Sequence, residues 1–180
     1  MARNRPDTRV AFVHASATTS KQDIGAQTIH RWHTKRGIWS ERGRTGYHFI
    51  IRRSGLIELG RDLPAIGAHC YGFNTESIGI CLVGGARRAK SGEIAEWDNL
   101  VSAENFTDEQ YDSLEALMKL IRLVYPGIVF APHNEVSNKA CPGFDLWRWQ
   151  ELRFGFSDKL VAKKVLLEIQ QAREEEVDNV

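Results

Sequence analysis

Four short apolar runs, each too short for a helix and rich in β-prone residues, leave this chain few folds to choose from. They lie at residues 10–13, within 46–53 (GYHFIIRR), at 77–83 (SIGICLV) and at 128–131. Such runs suit buried strands. Between the first two, residues 23–36 carry Ala26, Ile29 and Trp32 on one helical face, with Gly37 as a C-terminal stop. Ser54-Gly55 followed by LIEL predicts a hairpin after the second run. Gly84-Gly85 ends the third, and the polar stretch 86–105 reads as a long loop. Thr107 and Gln110 have capping-box spacing ahead of Leu114, Leu117, Met118, Ile121 and Val124, a helical core face closed by Pro126-Gly127. A short helix follows the last strand at about 145–152. Strands alternating with helices, plus one hairpin, predict a single α/β domain with a central mixed β-sheet flanked by helices.

From residue 157 to about 176 a separate helical pattern begins. Val161, Val165, Ile169 and Ala172 form its stripe, and Glu174, Glu175 and Glu176 are its solvated end. It reads as an added C-terminal helix packed on the domain or on a partner. The 180 residues are enough for one domain with a sizeable core. A formal net charge of +1 implies no strong field toward nucleic acid or an anionic membrane. The polar start MARNRPDTR has no secretory apolar segment, and no stretch is long enough to span a bilayer. Cys70, Cys81 and Cys141, odd in number and widely spaced, argue against a disulfide framework and for synthesis in a reducing cytoplasm.

His14, His133 and Cys141 stand at the ends of predicted strands or in loops. Imidazole nitrogen and thiolate sulfur suit zinc, and three protein ligands leave a fourth tetrahedral position open, as catalytic sites require. Spacing alone does not bring them together, because only the fold can carry His14 to the other two. The surrounding sequences say more. FVHASAT, GYHFII, GRD, GAHCYGFN, SIGICLVGG, FT-x-x-Q and PHNEVSNKACPGFDL follow one another in order over residues 10–152. This series resembles the amidase-2 family of zinc-dependent N-acetylmuramoyl-L-alanine amidases, which also includes the peptidoglycan recognition proteins. Within it, the series is similar to the lysozyme-type amidases (endolysins) of the T-seven group of bacteriophages.

The resemblance implies that His14, His133 and Cys141 are the zinc ligands. It implies that Tyr47 of GYHFII and Lys139 of KACPG serve hydrolysis, and that His69 of GAHCYGFN borders the substrate groove. Zinc can lower the pKa of water from about 15.7 to about 7, roughly a dozen kcal/mol toward hydroxide. Tyr47 would then assist proton movement and Lys139 would stabilise the oxyanion.

Each of these residues also has an ordinary reading. Cys141 alone is a buried structural cysteine, the two histidines are hydrogen-bonded ones, Tyr47 is a cross-strand aromatic and Lys139 is a solvated loop lysine. His69 divides evenly between a groove contact and a surface loop residue. His48, next to Tyr47, is expected on the opposite strand face and is read as structural. His30 and His33, a turn apart, are read as a helix-surface pair. Cys81 belongs to the core, Cys70 receives no role, and Trp147 and Trp149 are read as packing.

The chain therefore divides into an N-terminal arm (1–9), a zinc amidase domain (10–152) and a C-terminal helical extension (153–180). The implied function is zinc-dependent cleavage of the bond between N-acetylmuramic acid and L-alanine in peptidoglycan, for host lysis by a phage. The protein is expected to be a monomer, made in the host cytoplasm without a signal peptide and acting in the periplasm once the membrane is permeabilised. Two alternatives use the same fold: a non-catalytic peptidoglycan-binding module, and an inhibitor that binds the phage RNA polymerase. Cys141 argues against the first. The loosely kept arm, the added residues around Ser40 to Arg44 and the C-terminal helix put the second in doubt. No nucleic acid partner and no stable membrane insertion are expected.

Overall fold

The structure, a computed structural model, describes residues 4–37, 45–94 and 100–178. The added segment from Ser40 to Arg44 lies outside them. All four apolar runs become strands of one sheet: β1 (Val10–Ala15), β2 (Phe49–Ile51) with its hairpin partner β3 (Ile57–Leu59), β4 (Ser77–Leu82), and a later strand at Val129–Pro132. The stretch expected as a long loop carries two further short strands, β5 (Ala86–Arg88) and β6 (Leu100–Ser102), so Val129–Pro132 is β7. The main sheet has the order β3-β2-β4-β1-β7, with β2, β4, β1 and β7 parallel and β3 antiparallel.

β5 and β6 pair antiparallel outside that sheet. Three-residue strands holding Arg87 and Arg88 show no apolar alternation, which is why sequence reads them as loop. A side chain fixes the start of the pair. Asn105 Oδ1 accepts the Gly85 N–H at 2.8 Å, and its Nδ2 donates to Ala86 O at 2.6 Å.

Alternation along β1 separates the two faces of the sheet. Ala11 and Val13 point into a core with Ile78, Ile80 and Leu82, covered by α2 (Asp108–Val124) and α3 (Leu146–Phe154). The capping box forms at Thr107 and Gln110, and buried Gln110 also donates to Ile51 O and Val83 O, tying the helix to the sheet. Val10 and Phe12 point the other way, toward Phe73, Trp147 and α4 (Lys159–Asp178). α1 (Ala26–Lys35) covers the rest of that face through Ile29, against Ile50, Cys81 and Val83. No helix among the described residues is long and apolar enough to cross a membrane.

The stripe of α4 is rotated from the expected one. Ala162, Leu166 and Ile169 are buried with Val165 half-buried, while Val161 is 57% exposed and Ala172 is exposed. Asp158, just before the helix, sets this register. Its carboxylate accepts the Phe130 N–H and an Arg122 N–H, each at 2.8 Å, and its own N–H donates to Gln150 Oε1 at 2.7 Å. Asp158→Ala would strand the buried Phe130 amide and the Arg122 cation. Urea denaturation of that variant is expected to show a loss of about 2 to 4 kcal/mol. A change under about 0.5 kcal/mol, the range of ordinary surface substitutions, would show that the anchor is dispensable.

The N-terminal segment, where it is described, is tied to the domain. Asn4 bridges Ala65, and Arg5 is buried, donating to Ala65 O at 2.7 Å and to Leu63 O.

Candidate metal centre

Parallel neighbours bring equivalent strand ends together. Val13 is in register with Pro132, so the next residues, His14 and His133, stand side by side where β1 and β7 end. Their rings lie 4.4 Å apart, and both are buried. His133 opens a single 3-10 turn, His133–Glu135, after which the chain folds back. The Asn134 N–H donates to Cys141 O at 2.8 Å, which returns Cys141 to the strand ends. Its Sγ accepts the Ala15 N–H at 3.3 Å and lies 3.9 Å from His14 Nδ1. One potential ligand atom from each of His14, His133 and Cys141 falls within 4.8 Å of the others.

The donor set fits zinc, an ion held at about 2.0 to 2.3 Å by nitrogen and sulfur. Burial, reinforced by neighbouring His69, His133 and Lys139, holds His14 well below the usual imidazole range. Burial and then Lys139 push His133 down to about 4. Both rings are therefore neutral at pH 7, with lone pairs free for a cation. Burial pushes the Cys141 thiol up to about 11 against the Ala15 N–H and Lys139, so it ionises only when a cation compensates.

Tyr47 and Lys139 reach the same place. The Tyr47 ring lies 5.1 Å from His14 and 5.3 Å from His33. Burial, with Cys81 and Cys141 beside it, holds its phenol well above the ordinary range, so it keeps its proton. Lys139 is exposed at the rim of a cleft of about 520 Å³ and is tied to Cys141 by the Cys141 N–H to Lys139 O bond of 2.8 Å. His69 lies on the cleft wall beside His14, at 5.1 Å between rings.

Three expectations need correction. His33 is not on the helix surface: it is buried, and its Nδ1 accepts the Gly46 N–H at 2.9 Å, which positions the segment carrying Tyr47. Trp32 does not join Ile29 in the core but lines the cleft, half-buried, with Gln22 and Arg36. His48 does not point away from its neighbour's surroundings. The His48 and Tyr47 rings lie 5.7 and 6.3 Å from His69, because β2 begins only at Phe49 and strand alternation does not govern residues 47–48. Cys81 is in the core as expected, yet it also faces the Tyr47 hydroxyl. Trp147 and Trp149 are buried as packing residues, and Cys70 is buried as well.

Comparison with known proteins agrees with this architecture. The family described as N-acetylmuramoyl-L-alanine amidase matches residues 4–144. An endolysin of Klebsiella phage KP32 is 42% identical over 147 residues, 82% of this chain and 88% of that protein. The endolysin of Escherichia phage T7 is 43% identical over 149 residues, 83% and 89% of the two chains. Among solved structures, the N-acetylmuramoyl-L-alanine amidase LysC from Clostridium intestinale URNW superposes with a TM-score of 0.65 at 26% identity, over 84% of this chain and 87% of that one.

Proposed function

Because this chain belongs to the N-acetylmuramoyl-L-alanine amidase family and is an amidase acting on peptidoglycan, we propose that it works as a zinc-dependent endolysin with His14, His133 and Cys141 as the ligands. The observation that carries the reading is the convergence of two neutral imidazoles and a thiol at adjoining strand ends. When bound there, zinc supplies Lewis acidity toward water and the scissile carbonyl.

The chain's own residues do the rest. Tyr47 holds a phenolic proton through the neutral pH range and offers it as a hydrogen bond inside the cleft. Lys139, held to Cys141 by their backbone hydrogen bond, sets a positive charge where the carbonyl oxygen gains negative charge. Trp32 and Arg36 line the cleft and suit the sugar and carboxylate parts of a glycopeptide. Cys141 also favours hydrolysis over a binding-only use of the fold, since without it the ligand set has two members. Action in the periplasm follows from the location of the substrate, and residues 10–152 are proposed to form the catalytic unit.

The purified protein is expected to hold about one zinc per chain. Its affinity should rise about tenfold per pH unit between about pH 6 and 8, because both histidines are already neutral and only the Cys141 proton must leave. Competition with a chromogenic chelator measures this. A pH-independent affinity would mean that Cys141 is not a ligand.

A further inference from the structure

His14 turns one ring nitrogen toward the proposed metal site and the other toward a second histidine. Its Nδ1 lies 3.9 Å from Cys141 Sγ, while its Nε2 lies 3.1 Å from His69 Nδ1. The His69 ring is built into the protein. A Cβ added at Gly67 or at Gly79 would come within 2.5 Å of it, so two glycines clear the space the imidazole fills. Asn74 Oδ1 accepts the N–H groups of His69 and Cys70 at 2.9 and 3.0 Å, fixing the turn that carries the ring. The second ring nitrogen, Nε2, is buried and turned toward the Ser77 backbone. Neither nitrogen is free to face a substrate in the cleft.

We infer that His69 is a positioning residue for the metal site: its Nδ1 accepts a hydrogen bond from His14 Nε2–H, which holds the His14 ring and keeps His14 Nδ1 unprotonated for the ion. A neutral imidazole carries one N–H. If His14 gives Nδ1 to a metal, its proton must sit on Nε2, and among the described residues the group placed to accept it is His69 Nδ1. His69 then carries its own proton on Nε2. Metal-bound histidines usually make this outer bond to a carboxylate, a carbonyl or water. Here a neutral imidazole takes that place, so the outer contact adds no negative charge to the site.

This inference rests on the zinc ligation proposed above, and two experiments separate the two. In the zinc-loaded protein, long-range ¹H–¹⁵N correlation of the imidazoles should show His14 protonated at Nε2 and His69 unprotonated at Nδ1. His14 protonated at Nδ1 would overturn the inference with no variant needed. The second experiment measures zinc affinity of His69→Leu and His69→Asn by chelator competition. Leucine removes the acceptor, and affinity should fall about 10- to 100-fold. Asparagine presents an acceptor near the Nδ1 position and should recover most of that loss, while KM for a soluble muropeptide stays near the parent value in both. Leucine matching the parent in zinc affinity, or a raised KM with affinity unchanged, would show that His69 contacts substrate instead. A parent protein that binds no zinc would overturn the ligand assignment and this inference together.

Discussion

Cys141→Ala is expected to reduce peptidoglycan hydrolysis by more than about 1,000-fold while the chain stays folded. The size follows from what the ion supplies: moving water toward hydroxide is worth roughly a dozen kcal/mol, which no side chain at this site replaces. The fold should tolerate the change. Cys141 lies in a loop, where its backbone carbonyl, not its side chain, takes the bond from the Asn134 N–H. The side chain's own contacts are the 3.3 Å bond from the Ala15 N–H and the approach to His14. Zinc content and clearing of purified cell walls, followed together, check the expectation. Zinc retained at one per chain with activity lost would assign Cys141 a chemical role other than ligation. Activity retained without zinc would remove the ion from the reaction.

The second large effect separates chemistry from metal binding. Tyr47→Phe keeps the ring against His14 and His33 and removes only the hydroxyl. Lys139→Ala removes an exposed cation without touching a ligand. Each variant should keep its zinc and its thermal midpoint yet lose hydrolysis by about 100-fold or more, as expected for one donor that acts on charge developing in the transition state. The loss should fall on kcat more than on KM. If Lys139→Ala raised KM at unchanged kcat, the lysine would be a substrate anchor. If Tyr47→Phe turned over at nearly the parent rate, the phenol would be packing against Cys81 and no more.

The elements readable in the sequence are those whose periodicity is long or whose ends are marked. α2 is legible because a capping box, four core residues at helical spacing (Leu114, Leu117, Met118 and Ile121) and Pro126-Gly127 agree with one another, although Val124, expected on the same face, is exposed in the last turn as the helix runs past the sheet. The hairpin of β2 and β3 is legible from Ser54-Gly55. β5 and β6 are not, since they are three-residue strands without apolar alternation, tied together by Asn105, which follows β6 and bonds back to Gly85 and Ala86 at the start of β5. Helix faces are less legible than helix positions. The bounds of α1 follow from the sequence to within a few residues, but periodicity does not say whether a face abuts core or cleft, which is why Trp32 lines the cleft and His33 is buried against expectation. In α4 the inward stripe turns on Ala162, a residue small enough to sit directly against the sheet, rather than on Val161. At the site, residue types and local motifs named His14, His133 and Cys141. Their meeting depends on the register of Val13 with Pro132, which no local pattern encodes. The same holds for the contact between His14 and His69, 55 residues apart.

Which bond is cut, and whether the ion is needed to cut it, can be read from one digestion. Purified peptidoglycan digested by the intact protein should release new free amino termini of L-alanine with no new reducing sugar ends. The release should stop on chelation and return when zinc is added. New reducing ends without amino termini, or full release from a demonstrably metal-free protein, would contradict it.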